Sequence, residues 1–183
     1  MIYNKTIVLK DGRECVLRNS TEADAQAVLD NFILTHSETD WLLSYPDEIT
    51  FTVESETKYL KDKAESPDEI DILAVVDGRV VGSAGIDHIG RSYKLKHRAN
   101  FGISVEKAHW GLGIGKALTE ACIECAKEAG YTQIELDVVA DNEKAIALYK
   151  SKGFVEYGRN PQGFNSRING MQELVLMRLD LED

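Results

Sequence analysis

The sequence has no long hydrophobic run and few cysteines. Its uninterrupted apolar segments are only a few residues long, so no membrane-spanning helix is predicted. The N-terminal segment also lacks the apolar centre of a signal peptide, and we therefore expect a cytoplasmic protein.

Three cysteines, an odd number, argue against a disulfide framework. Cys122 and Cys125 are close in sequence, but zinc needs two further ligands and no second pair exists, so we expect core packing and no metal.

Positive charge is also scarce. The chain has 31 Asp and Glu residues against 21 Lys and Arg residues, which gives a net charge of −10. This balance argues against a general nucleic-acid surface or an anionic membrane surface. The length of 183 residues fits a single domain over 1–183 with one substantial core.

Strand and helix patterns alternate along the chain. Strands are predicted over residues 7–9, 15–17, 100–105, 133–139, 154–159 and 172–179, and as a hairpin over 71–86 that turns at Asp77-Gly78. Helices are predicted over residues 21–34, 53–64, 114–129 and 142–152. Residues 160–170, rich in turn formers, are predicted to be a long connection. This order indicates a mixed α/β sheet with helices on both faces.

The most distinctive segment is HWGLGIGK, residues 109–116. Three alternate glycines, Gly111, Gly113 and Gly115, lie between a predicted strand and an amphipathic helix. Glycines at this spacing let the backbone approach a ligand closely. The start of a helix also directs unpaired N–H groups and a positive dipole end towards that ligand. We therefore expect a ligand that carries phosphate.

Two common glycine motifs do not fit this segment. A Walker P-loop ends as Gly115-Lys116 does, but Trp110 and Ala117 occupy its other required positions. A dinucleotide fingerprint needs a small residue where Lys116 or Leu118 stands.

The segment does resemble the acyl-CoA loop of the GNAT superfamily of N-acetyltransferases, usually written Q/R-x-x-G-x-G/A. Gly113 and Gly115 match the two small positions, and Trp110 departs from the Gln/Arg position. A second block, residues 134–154, resembles the next strand and helix of the superfamily. Its matching residues are Asn142, Ala145, Leu148, Tyr149, Gly153 and Phe154. The resemblance implies a GNAT-like mixed, largely antiparallel central sheet of about seven strands, with helices on both faces.

The resemblance also implies acetyl-CoA as cosubstrate and assigns residues to it. The pyrophosphate is expected at the glycine turn and the pantetheine arm along the preceding strand. The implied cofactor-binding residues are Ile103, Ser104, Val105, Trp110, Gly111, Leu112, Gly113, Ile114, Gly115, Lys116 and Asn142.

The acid–base residues are expected on the second block. Glu135 and Asp137 share one face of a strand, which is either an ordinary half-exposed face or the border of a cleft. The resemblance implies Asp137 as the base that deprotonates a primary amine, with Glu135 as second choice. It implies Tyr149 as the acid that protonates the leaving thiolate. The amine then attacks directly in a ternary complex, without a covalent acyl-enzyme.

The acceptor itself stays open. A small-molecule or peptide amine is expected, and polyamine, amino acid, antibiotic and protein N-terminus are all candidates. A basic run, comprising Arg91, Lys94, Lys96, His97 and Arg98, is either a solvated loop or a site for an anionic acceptor or the CoA phosphates. A homodimer is one assembly that the resemblance allows. The alternative functions are a non-catalytic acyl-CoA-binding regulatory module and a nucleotide-binding oxidoreductase.

Overall fold

The computed structural model of the chain describes residues 1–181 and contains one eight-stranded sheet with helices on both faces. The strands are β1 (Asn4–Val8), β2 (Glu14–Asn19), β3 (Ile70–Val76), β4 (Arg79–His88), β5 (Arg98–Val105), β6 (Gln133–Val139), β7 (Val155–Ser166) and β8 (Gly170–Asp180). The α-helices are α1 (Ala25–Glu38), α2 (Val53–Glu65), α3 (Ile114–Glu128) and α4 (Glu143–Ser151). The predicted fold class is confirmed, and the sheet has eight strands where about seven were expected.

The strand order across the sheet is β1-β2-β3-β4-β5-β6-β8-β7. Every neighbouring pair is antiparallel except β5 and β6, which run parallel. The β3–β4 hairpin turns at Asp77 and Gly78, as predicted, with φ angles of 51° and 76°. Positive φ at both central residues is what a tight two-residue hairpin requires.

Strand β3 shows how both faces of the sheet are covered. Ile72 packs into a core cluster with Leu118 of α3, and α4 contributes to the same cluster. Its neighbour Leu73 points the other way and packs with Val28 of α1 and Leu60 of α2. A strand buried on both faces is apolar without alternation, which explains the run ILAVV in β3. Within residues 1–181, no helix has the length and apolar character needed to cross a bilayer.

The sheet splits between its two parallel strands. β5 and β6 are paired at Arg98–Gln133, Ala99–Ile134 and Asn100–Glu135, and at no later position. Beyond this point β5 stays with β4 and β6 stays with β8. Residues 101–105 and 136–139 therefore diverge and leave a wedge-shaped gap, here called the split.

The prediction of a long connection over residues 160–170 is wrong. β7 continues to Ser166 and β8 begins at Gly170, so the turn itself is only three residues long. The turn-forming residues lie inside β7, where the pairing with β8 shifts register between Asn160 and Phe164. Gly163 lies within it, where a Cβ atom would come within 2.3 Å of the Leu174 side chain. The glycine thus permits close strand approach instead of ending the strand.

Candidate active site

The chain enters α3 through the three alternate glycines. Gly111 and Gly113 have φ angles of 80° and 104°, a backbone region that favours glycine. Gly115 lies in the first turn of α3, outside that region, and a Cβ atom there would stand 3.7 Å from Leu148 of α4. The first two glycines therefore set the conformation of the turn, and the third lies where α3 approaches α4.

The turn presents a row of free backbone donors. The N–H groups of residues 111–116 donate to no acceptor within residues 1–181, and the first bonded amide is Ala117, at 3.1 Å from the Gly113 carbonyl. The side chains of Leu112 and Ile114 pack on the core, so these residues offer their backbone alone. Lys116 is exposed at the same helix end. Free amides at the start of a 15-residue helix form an anion site suited to pyrophosphate.

Trp110, which departs from the family motif, braces this turn. Its indole Nε1 donates to the Val105 carbonyl at 2.6 Å, across the base of the turn. Its ring stacks on Trp41 with centroids 5.9 Å apart. Trp110 therefore links the turn to the segment that follows α1. Its side chain contacts protein groups, and its indole N–H is used in the bond to Val105.

An ion-pair cluster around the buried Glu106, which the sequence did not reveal, anchors the same turn. Glu106 is 2% exposed, and its carboxylate contacts the Arg79 guanidinium and His109 Nδ1. Burial by itself raises the pKa of Glu106, but the Arg79 and His109 contacts outweigh it and lower the pKa overall. Arg79 and Glu106 lie 27 residues apart, so no local pattern could have linked them.

The predicted pantetheine residues lie along the split. Ile103, Ser104 and Val105 pair with Ala84, Ser83 and Gly82 of β4 on one side and with no strand on the other. Backbone groups along a strand point alternately to its two sides, so part of this edge is open to an extended ligand. An extended amide-bearing chain can therefore pair here as an added strand.

Tyr149 lies at the point where the split opens. It is 7% exposed, and its ring packs edge-on against Phe101 and at a tilt against Phe154. Phe101 is the first residue of β5 beyond the ladder between β5 and β6. Its hydroxyl has no hydrogen-bond partner in residues 1–181, yet it is not among the fully enclosed unpaired atoms. Burial raises the pKa of this phenol above its ordinary range, which keeps it protonated.

Glu135 and Asp137 lie on the other face of β6 and have different surroundings. Both Glu135 oxygens contact Arg98, one of them at 2.7 Å, so this carboxylate is held in an ion pair. Asp137 is exposed and makes no ion pair within the described chain. Burial, and then the charge of Glu135, raise the pKa of Asp137. Of the two predicted carboxylates, Asp137 is the one free to accept a proton.

Asn142 occupies the N-cap of α4. Its side-chain oxygen accepts a hydrogen bond from the Ala145 amide at 3.3 Å. This is a capping role. The residue thus fixes the start of the helix that carries Leu148 towards the glycine turn and Tyr149 towards the split.

A polar network connects the segment after α1 to the β7–β8 hairpin. Asp40, after α1, accepts hydrogen bonds from Ser166 at 2.5 Å, Asn169 at 2.6 Å and Tyr45 at 2.9 Å. Ser166 and Asn169 belong to the β7–β8 hairpin, 126 and 129 residues away. This Asp40 network joins residues 32–45 to residues 160–170, the two segments in which the resemblance to the superfamily implies the walls of the acceptor site.

The comparisons with known proteins agree with this geometry. The model of the "Acetyltransferase (GNAT) family" matches residues 34–154. N-alpha-acetyltransferase RimI of Mycobacterium tuberculosis is 32% identical over 101 residues, 55% of this chain and 60% of that protein. L-amino acid N-acetyltransferase AaaT of Escherichia coli is 37% identical over 92 residues, 50% of this chain and 56% of that protein. The matches thus span less than two thirds of these relatives.

Solved structures show the same fold. An acetyltransferase of the GNAT family from Streptococcus pneumoniae superimposes with a TM-score of 0.87 at 26% identity, covering 91% of this chain and 99% of that one. YncA of Salmonella typhimurium, determined with its cofactor acetyl-CoA, has a TM-score of 0.80 at 19% identity and covers 92% and 95%. The family model extends over most of the chain and includes the glycine turn, the split and Tyr149. The chain therefore belongs to the acetyltransferase (GNAT) family.

Proposed function

We propose that this chain is an acetyl-CoA-dependent N-acetyltransferase that transfers an acetyl group to a primary amine by direct attack in a ternary complex. The observation that carries the proposal is the junction of the split with the row of free amides at residues 111–116. One feature suits an extended amide chain and the other a pyrophosphate, and acyl-CoA contains both in this order. Family membership supports the same donor.

In this proposal the glycine turn holds the pyrophosphate through backbone N–H groups, with Lys116 beside it. The open edge at residues 103–105 holds the pantetheine arm, and one N–H of this edge polarises the thioester carbonyl. The thioester then lies near Tyr149, because Tyr149 packs on the first residue beyond the ladder. Asn142 contributes by fixing α4.

The reaction uses proton-transfer groups on opposite faces of the sheet. Asp137, directly or through a water molecule, takes a proton from the ammonium form of the acceptor, and the neutral nitrogen attacks the thioester carbon. The carbon–sulfur bond then breaks, and Tyr149 gives its proton to the departing thiolate. The nitrogen releases its second proton to solvent as the amide forms, and solvent returns a proton to Tyr149. The raised pKa of Asp137 makes it a stronger base than an ordinary aspartate. Glu135 serves as the ion-pair partner of Arg98.

The cysteines do not supply a nucleophile in this proposal. Cys122 and Cys125 are buried in the core, as predicted from their spacing. Burial raises the pKa of Cys125 to about 11 and also raises the pKa of Cys122 well above its ordinary value, which leaves both as thiols at neutral pH. Cys15 is likewise buried with a raised pKa. A thiol without thiolate character is a poor nucleophile.

The names of two relatives indicate which acceptors to test first. RimI is named for α-amino groups and AaaT for L-amino acids, so amino acids and peptide N-termini are the first acceptors to test. We further propose that the protein acts as a single domain in the cytoplasm. A homodimer stays a prediction.

The decisive experiment is release of free CoA thiol from acetyl-CoA across a panel of primary amines. We expect amine-dependent release in the wild type and a loss of about 100-fold or more in kcat/KM for Asp137→Asn. Asp62→Asn, an exposed aspartate on α2, is the matched control and should behave as the wild type. Tight acetyl-CoA binding without thiol release for any amine would favour a non-catalytic CoA-binding module instead.

A further inference from the structure

A pocket with a volume of about 340 Å³ lies beside the start of β6. Its lining includes Lys94, Arg98, Glu135, Tyr157 and Arg178, and we call it the anion pocket. Glu135 and its neighbour Gln133 reach it from the face of β6 opposite Ile134, which packs with α3. Three Lys or Arg side chains thus converge in a chain whose net charge is −10.

The positive charges of the pocket are not balanced by its single carboxylate. Arg178 stands directly opposite Glu135 in the β6–β8 ladder, yet Glu135 gives both oxygens to Arg98. The Nε atom of Arg178 is buried and has no acceptor in residues 1–181. Its outer nitrogen approaches Asp180 only at 3.5 Å. The Arg178 side chain is 44% exposed, so its outer guanidinium nitrogens are hydrogen-bond donors that an anion in the pocket can reach.

The anion pocket shares a face with the proposed base. Glu135 and Asp137 are two residues apart on β6, which places their side chains about 7 Å apart along the strand. Tyr157 lines the same pocket, and burial, followed by the charges of Glu135 and Asp137, raises its pKa. Tyr157 also approaches Glu135 with its hydroxyl at 3.5 Å. A ligand lying along this face can therefore reach the pocket and Asp137 together.

We propose that the anion pocket binds a carboxylate of the acceptor, so that the acceptor is an amine whose anionic group lies about 7 Å from the reacting nitrogen. The inference rests on the proposed function, since it takes Asp137 as the site of the amine. Arg178 supplies the charge-assisted hydrogen bonds, and Lys94, which is exposed, adds a second cation. The acceptor is then an ω-amino acid or a side-chain amine, not a simple α-amino acid.

The first test compares ε-aminocaproate with its neutral amide as acceptors. We expect wild-type kcat/KM to be at least tenfold higher for the acid, although an acidic protein attracts the cationic amide more strongly at long range. Arg178→Gln should reduce this preference to about unity, and Lys94→Gln should reduce it in part. Lys58→Gln, which removes an exposed cation on α2, should keep the full preference. Equal use of acid and amide by the wild type would overturn the proposal.

The second test measures binding without catalysis, by calorimetry with ε-acetamidocaproate, which has the carboxylate but no amine. Loss of the Arg178 contact should weaken binding about tenfold to a hundredfold. If this ligand binds but no amine in the panel is acetylated, the acetyl-transfer proposal fails while the pocket stands. If inorganic phosphate binds through Arg178 but the acid has no advantage over its amide, the pocket serves a free anion and the acceptor assignment is wrong. Thermal melts check that each variant is folded. Lys94 is exposed in the loop between β4 and β5, so Lys94→Gln is not expected to change stability.

Discussion

At the scale of single residues, the packing of the Tyr149 ring can be separated from the effect of its hydroxyl. Its ring packs against Phe101 and Phe154, and its hydroxyl bonds no protein group in residues 1–181. Tyr149→Phe therefore keeps the packing and removes the hydroxyl that we propose as the proton donor. We expect kcat to fall about 100-fold or more, with the dissociation constant of CoA nearly unchanged. Steady-state kinetics and calorimetric CoA titration measure the two quantities.

Tyr93→Phe is the matched control, because Tyr93 is 82% exposed in the loop before β5. It should leave both quantities unchanged. A parallel loss of kcat and CoA affinity in Tyr149→Phe would assign the hydroxyl to binding. Unchanged kcat would remove Tyr149 from the mechanism.

The alternate glycines are expected to respond differently to the same substitution. Gly113 has a φ of 104°, so Gly113→Ala is strained by about 1–3 kcal/mol and should distort the turn. Gly115 lies within α3 with an ordinary contact at 3.7 Å, so Gly115→Ala should be tolerated. The KM for acetyl-CoA and the melting temperature measure both effects. Equal damage from the two substitutions would contradict this division of roles.

At the scale of elements, β3 contains a charge in an unfavourable position. Burial raises the pKa of Asp71 from 3.8 to about 7, against the lowering effects of Ser20 and Lys63. One of its carboxylate oxygens is buried without a partner in the described chain. An acid with a raised folded-state pKa binds its proton more tightly when folded. Its effect on stability is therefore most favourable below about pH 4 and declines as the pH rises to about 7.

Asp71→Asn is expected to stabilise the protein at pH 8, because it keeps the shape and removes the buried charge. The advantage over the wild type should shrink as the pH falls from about 7 to about 4. Urea unfolding at several pH values measures it. Asp62→Asn, at an exposed position, should show no such pH dependence. A less stable Asp71→Asn at pH 8 would mean that ionised Asp71 makes favourable contacts.

Local patterns predicted the elements well where the backbone itself is constrained. The Asp77-Gly78 hairpin and the glycine turn were predictable because both require positive φ angles that few residues adopt. The β7–β8 hairpin was not, because its turn formers sit inside a strand irregularity at residues 160–164. Whether a glycine ends a strand or permits close approach depends on the partner strand, here on Leu174.

At the scale of the whole molecule, the Asp40 network joins the segment after α1 to the β7–β8 hairpin, the two segments in which the family resemblance implies the acceptor walls. Asp40→Ala removes the acceptor of hydrogen bonds from Ser166, Asn169 and Tyr45. We expect faster amide hydrogen exchange in residues 166–172 and a higher KM for the acceptor, with an unchanged KM for acetyl-CoA. A loss of about 2 kcal/mol in stability is also expected.

Asp62→Ala provides the comparison for this network, since it removes an exposed carboxylate from α2. Unchanged exchange in the β7–β8 hairpin of Asp40→Ala would show that the network does not hold the two segments together. A raised KM for acetyl-CoA would instead place its effect at the glycine turn.

The parts of the proposed site that lie close together in sequence are the parts that sequence patterns could indicate. The glycine turn, Asn142 and Tyr149 lie in two short blocks, and their backbone context follows from nearby residues. The partners that decide between Glu135 and Asp137 are not local, because Arg98 precedes Glu135 by 37 residues. Long-range contacts of this kind depend on strand register, which the periodicity of a single segment does not contain.

The short ladder between β5 and β6 also has a mechanical consequence. Three residue pairs connect the five-stranded part of the sheet to the three-stranded part, so little backbone bonding carries load across this seam. Under force applied at the two termini, rupture is therefore expected to begin at this seam.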